Sequence, residues 1–489
     1  MPKLTVRRGD ATWTIPFESG QRLDEVLIAH DLAVPRPCGG RGVCGKCAVE
    51  LSGQVSAPNA AERRAGRRLS CQALLMGDAL AVLPDDGGME QIALFSDAAA
   101  RAVKPTAGRL GAAVDIGTTT LACKLYDLRD GTCLSEAGRR NPQTAVAADV
   151  MGRVGHAMDG GLDTLRRQAG EAVEGMLRES CARAGVSFEA LDALVVTGNT
   201  TMLYLLTGRD PRALSHAPFL ADYLFDEETE LFGRRTYLPP CMHAFVGADI
   251  SCAVLAAGQC DGDGISLLTD IGTNGEIALW KDGVLRVAST AAGPAFEGAG
   301  ISCGCGSVRG AIDRVWLEGK EVRAHTIGEA SAVGVCGSGL IDAIAAFLRR
   351  GDIEETGATE EERLALRDGV ALMPKDIRAV QLAKAAIAAG METLMRSAQT
   401  APEEIGTLYI AGGFGSHLNV DSAATIGLIP DALAGSVRIL GNAALAGAAR
   451  LLLDTDAIAR IRAICARATF VNLGGDPLFN ELYVDHMFF

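Results

Sequence analysis

Ala113-Val114-Asp115-Ile116-Gly117-Thr118-Thr119-Thr120 runs into Leu121-Ala122-Cys123-Lys124-Leu125-Tyr126. The pattern returns as Leu267-Leu268-Thr269-Asp270-Ile271-Gly272-Thr273-Asn274-Gly275, followed by Glu276-Ile277-Ala278-Leu279-Trp280. Each copy is an apolar strand ending in Asp-Ile-Gly-Thr, a tight polar turn and a second strand. One Asp-x-Gly-Thr decides nothing, because an ordinary turn capped by an aspartate has the same letters. Two, each opening a half of similar size, describe a duplicated α/β chain. A turn of Gly, Thr and Asn offers consecutive backbone N–H groups and hydroxyls to phosphate oxygens. The aspartate ending the strand is suited to hold Mg²⁺, directly or through its water shell, since magnesium takes carboxylate and phosphate oxygens. Facing each other across a cleft, the hairpins would clamp a triphosphate such as ATP. Asp115 and Asp270 are the catalytic candidates, positioning Mg²⁺ or the attacking water. Gly117, Thr118, Thr119, Thr120, Gly272, Thr273 and Asn274 are the binding candidates.

A third segment extends this set. Thr407-Leu408-Tyr409-Ile410 runs straight into Ala411-Gly412-Gly413-Phe414-Gly415-Ser416, where Gly412, Gly413 and Gly415 would let the backbone approach a flat base or ribose without a Cβ clash. Gly334-Val335-Cys336-Gly337-Ser338-Gly339-Leu340-Ile341-Asp342 and Gly441-Asn442-Ala443-Ala444-Leu445-Ala446-Gly447-Ala448 read as the starts of closely packed helices, of the kind that cross where two lobes hinge.

The amino-terminal stretch carries different chemistry. Cys38, Cys44 and Cys47 are spaced C-x5-C-x2-C in a glycine-rich run, and Cys71 follows in Leu69-Ser70-Cys71-Gln72. Three thiolates on a loop that sheds its side chains, with a fourth from a later segment, is how a [2Fe–2S] cluster is held. The plant-type spacing has one residue fewer in the first gap. A zinc ribbon would favour two separated CxxC pairs, and one is present. Gly40-x4-Gly45-Lys46 imitates a Walker A loop, but Cys47 stands where that motif needs Ser or Thr for magnesium. The cluster accounts for these glycines, and the P-loop reading is rejected. Around the cysteines, Leu4-Thr5-Val6 and Thr12-Trp13-Thr14-Ile15 flank a Gly9-Asp10 turn. Leu23, Val26, Leu27 and Leu32 recur at helical spacing from about Arg22 to Leu32, and Ala48-Val49-Glu50-Leu51 and Leu80-Ala81-Val82-Leu83 read as strands.

The bulk properties exclude several classes. A chain of 489 residues suffices for two or three domains. Its net charge of −14 argues against a nucleic-acid partner. No uncharged apolar run of about 18–20 residues predicts a membrane span, and Met1 to Asp10 lacks the apolar stretch of a secretion signal. The 14 cysteines, in no disulfide-framework spacing, suit a reducing cytoplasm. Arg63, Arg64, Arg67 and Arg68 cluster before Cys71 and read as a solvated helix face, with docking of an acidic partner as the alternative. Cys303 and Cys305 read as loop thiols, and His417 as an ordinary polar residue.

These elements resemble a known pair of families. The five glycine-rich segments of the longer part resemble the phosphate-1, connect-1, phosphate-2, adenosine and connect-2 elements of the acetate kinase/sugar kinase/Hsp70/actin superfamily, with the connect-1 label on Gly334–Asp342. The order departs from the usual one, because that segment follows the second hairpin. The first part resembles β-grasp ferredoxins. Their fusion is similar to the reductive activators of corrinoid proteins, a likeness strengthened by Thr197-Gly198-Asn199-Thr200-Thr201-Met202, Gly247-Ala248-Asp249-Ile250, Ala292-Gly293-Pro294-Ala295-Phe296-Glu297-Gly298 and Ile301-Ser302-Cys303-Gly304. The resemblance implies an α/β chain with a small β-grasp ferredoxin domain over residues 1–85 and a linker over 86–108. A duplicated RNase H-like ATPase domain of the actin/Hsp70 type would fill 109–489, its second lobe starting at about residue 265. It also implies ATP-dependent reduction of Co(II) to Co(I) in the corrinoid protein of a methyltransferase system, an unidentified electron donor and a homodimer. An activator of a 2-hydroxyacyl-CoA dehydratase, a small-molecule kinase with a regulatory cluster and a nucleotide-binding assembly switch remain the alternatives.

Overall fold

The computed structural model describes residues 1–30, 32, 34, 40, 42, 45, 47–84, 108–413 and 417–489. Cys38, Cys44, Gly415 and nearly all of the expected linker therefore lie outside the described residues.

The first unit is a five-stranded sheet in the order β2-β1-β5-β3-β4. It is built from β1 (Lys3–Arg8), β2 (Ala11–Pro16), β3 (Ala48–Val55), β4 (Arg68–Leu69) and β5 (Leu75–Val82). β1 pairs antiparallel with β2 across the Gly9-Asp10 turn and parallel with β5. Leu23, Val26 and Leu27 of α1 (Leu23–Ala29) bury against Leu4, Val6, Ile15 and Leu75. The helix stops at Ala29, short of the expected Leu32, because the backbone leaves the helical region at His30 (φ −119°, ψ 19°); Leu32 is still buried. α2 (Ala60–Ala65) begins in a reciprocal capping box of Asn59 and Glu62. Glu62 is buried and accepts from Arg68 Nε at 2.9 Å, so one arginine of the cluster is a structural ion pair rather than part of a solvated face.

The remainder repeats one plan. The first lobe's sheet runs β10-β11-β9-β6-β7-β8 and the second runs β21-β20-β12-β13-β14-β22. In the first, β6 (Leu110–Ile116), β7 (Thr120–Asp127) and β8 (Cys133–Arg140) form an antiparallel meander; β9 (Ala193–Gly198) and β11 (Arg234–Leu238) add in parallel, and β10 (Glu227–Leu231) closes the edge. In the second, β12 (Ser266–Ile271), β13 (Gly275–Lys281) and β14 (Val284–Thr290) repeat the meander. A three-stranded sheet of β15 (Ala311–Glu318), β16 (Glu321–Thr326) and β17 (Gly334–Val335) and a ribbon of β18 (Leu364–Ala365) and β19 (Ala371–Leu372) are inserted next. β20 (Thr407–Ala411) and β21 (Val437–Gly441) then add in parallel, and β22 (Ala468–Phe470) joins β14. Strands β6 and β12 are buried nearly throughout, as expected of strands covered on both faces.

Helices α3 (Val150–His156), α4 (Leu162–Arg183) and α5 (Thr200–Thr207) belong to the first lobe. α7 (Gly337–Arg350), α8 (Pro374–Ser397), α9 (Val420–Thr425) and α12 (Pro477–Asp485) belong to the second. Between the two sheets lie α6 (Ala248–Ala257), α10 (Ala443–Leu453) and α11 (Ala457–Ala466). One core joins Val254 and Leu255 of α6 and Leu445 and Ala448 of α10 to Val195 of the first sheet and Leu268 and Ala278 of the second. This corrects the connect-1 label. α7, which carries Gly337–Asp342, packs on β15 and α9, and the helix that crosses α10 is α6. Ile28 of α1 packs against the core of the first lobe, joining the ferredoxin unit to the rest.

The α6–α10 crossing depends on one missing side chain. A Cβ on Gly447 would lie 2.0 Å from the carbonyl oxygen of Cys252. Gly447→Leu should therefore force the helices apart and lower stability by about 3 kcal/mol, the upper range for overpacking a filled core. Thermal unfolding against Ala446→Leu, on the half-exposed neighbouring position, is the check.

Candidate functional site

The two hairpin turns face each other across the cleft between the lobes. Asp115, Gly117, Thr118, Thr119 and Thr120 line it from one side, and Asp270, Gly272, Thr273 and Asn274 from the other. Gly412, Gly413 and His417 complete the wall, together with the first residues of α7 and α10. Both helices point their free N–H groups and positive dipole ends at the space, an arrangement that favours anions.

The first turn is fixed by three asparagines. Asn141 Nδ2 donates to the Gly117 carbonyl at 2.9 Å, Asn199 Nδ2 to Thr118 Oγ1 at 3.0 Å, and Asn442 Nδ2 to Asp115 Oδ2 at 3.0 Å. Asn199 and Asn442 also cap α5 and α10 through their Oδ1 atoms, so each turn position is tied to a helix start. Behind this turn Arg153 is fully buried. Its guanidinium donates to the carbonyls of Thr118 and Ala147, at 2.5 and 3.1 Å, and to Gln143 Oε1 at 3.2 Å. Burial lowers it to about 10, which still leaves it charged at neutral pH.

The floor is acidic. Burial raises Asp115 to about 7, Asp249 to about 6 and Asp270 to about 8, with their mutual repulsion adding to the rise at Asp115 and Asp270. Glu276 is raised well above its ordinary value by burial and by Asp249 and Asp270. It sits directly opposite Asp270 across β12 and β13, whereas Ala122 occupies the corresponding place opposite Asp115. Carboxylates so crowded favour a divalent cation or shared protons. Among the described residues no three His, Cys, Asp or Glu side chains converge into a ready metal cage. Asp115 and Asp270 at the ends of β6 and β12 are of the kind that holds magnesium, which commonly takes one or two carboxylates with phosphates and water supplying the rest.

Above the floor, Glu297 joins the lobes. Thr119 Oγ1 donates to its Oε2 at 2.5 Å and Thr273 Oγ1 to its Oε1 at 2.8 Å, so a threonine from each repeated turn holds one end of a single carboxylate.

In the first unit, Cys47 and Cys71 are buried with their sulfurs 3.3 Å apart. A disulfide bond is about 2.05 Å long, so these are two thiols directed at a common point. The Cys71 contact and neighbouring backbone N–H groups pull the Cys47 thiol down to about 6. Gln72 Nε2 donates to the Gly40 carbonyl at 2.8 Å, tying the glycine-rich loop to the segment that bears Cys71. These residues fit an iron–sulfur cluster.

Comparison with known proteins covers the chain in three consecutive blocks. Residues 7–76 match the model of the 2Fe-2S iron-sulfur cluster binding domain, 110–260 that of the RACo middle region, and 264–489 that of the C-terminal domain of RACo, the ASKHA domain. The corrinoid activation enzyme RamQ of Eubacterium limosum is 33% identical over 78% of this chain and 70% of its own. The chain belongs to the corrinoid reductive activators. The [Co(II) methylated amine-specific corrinoid protein] reductase of Methanosarcina barkeri is 28% identical over 76% of each chain. The solved reductive activator for a corrinoid, iron–sulfur protein superposes with a TM-score of 0.73 at 27% identity, covering 100% of this chain and 98% of that one. The β-grasp ferredoxin unit and duplicated actin-type ATPase fold of this activator are thereby shown.

Some readings of the sequence change in the activator's structure. Gly412 lines the cleft, and the sheet itself also requires its lack of a side chain: a Cβ there would lie 2.7 Å from the Ile271 carbonyl and 2.8 Å from Asp270 Oδ1. The glycine lets β20 close on the second aspartate. Cys305 borders the cleft beside Cys336, while Cys303 is half-buried. Arg153 and Glu276 carried no local signal of a site, and Asp249 and Glu297 stood out only within family-like runs.

The raised carboxyls have a consequence for stability. Between about pH 4 and 8 they ionise freely in the unfolded chain but keep protons in the folded one, so their contribution falls as pH rises through that window. Without nucleotide or divalent cation, the melting temperature should decline from pH 5 to pH 8. Asp270→Asn should flatten the decline, as differential scanning calorimetry across that range will show.

Proposed function

We propose that this protein uses ATP to reduce Co(II) to Co(I) in the corrinoid protein of a methyltransferase system, passing one electron at a time through its ferredoxin unit. The observation that carries the reading is the fusion, in one chain, of cluster-type cysteines and a two-hairpin phosphate cleft, within a family whose relatives are corrinoid activators. Cys38, Cys44, Cys47 and Cys71 would hold a [2Fe–2S] cluster, which supplies one-electron transfer. Plant-type clusters lie near −400 mV, and a shortfall of roughly 100–200 mV toward Co(I) costs about 2–5 kcal/mol for one electron. Nucleotide binding offsets such a gap only if it favours one arrangement of the complex over another.

The chain's own residues supply that difference. Thr118 to Thr120 and Gly272 to Asn274 take the phosphates from both sides, and Asp115 and Asp270 position Mg²⁺ and the attacking water. Arg153 holds the Thr118 carbonyl and places a fixed positive charge behind the first turn, where ATP carries its negative charge. Gly412 and Gly413 bound the nucleoside end. No disulfide joins the described cysteines, which suits a reducing cytoplasm, and among the described residues no helix is long and apolar enough to cross a membrane.

The test is Co(I) formation, followed by absorbance, from purified protein, a chemical reductant and a corrinoid protein. Conversion should require ATP and Mg²⁺, and ATP hydrolysis should rise when the corrinoid protein is added. Equal Co(I) with and without ATP would reduce the protein to a simple ferredoxin reductase. Two variants separate the parts. Cys71→Ser should abolish Co(I) formation and alter the visible spectrum while leaving basal ATP hydrolysis. Asp270→Ala should keep the spectrum and lower hydrolysis by about 10²-fold or more, the scale of a lost electrostatic or acid–base group.

A further inference from the structure

We propose that Glu297 is an internal stand-in for the terminal phosphate of ATP. The nucleotide displaces it from Thr119 and Thr273, and the freed carboxylate then takes the proton of the attacking water. The inference rests on the ATP-cleft reading above and assigns that cleft a residue with two successive partners.

The geometry is specific. Thr273 is the fourth letter of the second Asp-Ile-Gly-Thr, and Thr119 follows the fourth letter of the first, Thr118, by one residue in a turn that is one residue longer. Their hydroxyls reach toward each other from opposite lobes and meet on the two oxygens of one carboxylate, at 2.5 and 2.8 Å. An oxyanion accepting from both turns at once is what the terminal phosphate of a clamped triphosphate would be. Glu297 is half-buried on the short helical turn Pro294–Glu297, flanked by Gly293 and Gly298 with positive φ. Gly293 N–H donates to the Thr273 carbonyl at 2.9 Å, so the segment bearing the carboxylate is anchored to the turn it caps. A Glu297 that gives up its hydroxyls stays within that anchored segment, beside the phosphate that replaced it.

The chemistry balances without a further reactant. Water's oxygen bonds to the terminal phosphorus and the bond from that phosphorus to the bridging oxygen of ADP breaks. The water proton goes to Glu297 and leaves with bulk solvent once phosphate departs. Placing an anion where another anion must bind has a cost that a purely structural residue would not show. Removing it should tighten nucleotide binding while slowing hydrolysis.

The experiment measures both quantities on the full-length protein: equilibrium binding of a non-hydrolysable ATP analogue with Mg²⁺, and steady-state hydrolysis of ATP. Glu297→Ala should bind the analogue about tenfold more tightly, the scale of hydrogen bonds to a charged acceptor no longer competing. Its hydrolysis should fall by about 10²-fold or more. Glu297→Gln, which keeps the shape but removes the charge, should also bind more tightly than the unmodified protein and lose hydrolysis as well. Weaker binding in Glu297→Ala, or normal hydrolysis in Glu297→Gln, would overturn the proposal. Failure of the unmodified protein to bind or hydrolyse ATP would instead overturn the cleft reading on which it rests.

Discussion

The backbones of α6 and α10 approach so closely that a single Cβ on Gly447 would meet the Cys252 carbonyl at 2.0 Å. Everything at the cleft follows from that contact. The two helices sit between the two sheets, sharing one core with a strand from each, so the lobes face each other with their repeated turns opposed. Side chains of ordinary size at the crossing would spread the helices and move the turns apart, and no single group would then touch both. The outer cores of the two lobes are separate clusters, which leaves the helix pair as the main apolar joint between them. A joint made of small residues packed backbone to backbone suits two lobes that change their mutual angle while each stays rigid.

On that joint the cleft assembles an unusual charge balance. Its floor gathers Asp115, Asp249, Asp270 and Glu276, all held above their ordinary carboxylate values by burial. Its walls offer helix N-termini and turn N–H groups, with the buried Arg153 guanidinium behind the first turn. A site negative at the bottom and donor-rich at the sides suits a complex of a polyphosphate with a divalent cation better than either component alone. The Asp270/Glu276 pair makes the halves unequal, since the first hairpin carries Ala122 in place of the second acid. The duplication has kept the cleft-facing turns alike and let the acidic floor diverge.

The sequence was most legible where chemistry is local. The Asp-Ile-Gly-Thr turns need their glycines and hydroxyls within a few residues, and the hairpins stand where that pattern places them, with Asp115 and Asp270 brought to one cleft. Ferredoxin strands and helix followed from alternation and helical spacing for the same reason. Legibility ended where contacts span the chain. Gly334–Asp342 had the small-residue look of a hinge helix, yet α6 takes that place. α6 is apolar on nearly every face and starts at Gly247 with no side-chain cap, so neither amphipathic spacing nor capping announced it. Arg153 reaches Thr118 from 35 residues away, and Glu297 reaches Thr119 from 178. No local pattern encodes such pairs. The close approach of Gly412 to Asp270 was likewise illegible, because it exists only once the sheet has formed.

The central claim is that one nucleotide is held by both turns at once. Amide hydrogen exchange read residue by residue, with and without Mg²⁺ and a non-hydrolysable ATP analogue, tests it most directly. The account predicts that exchange at Gly117 to Thr120 and at Gly272 to Asn274 slows together and over the same range of nucleotide concentration. Protection confined to one turn, with the other exchanging as in the free protein, would contradict it.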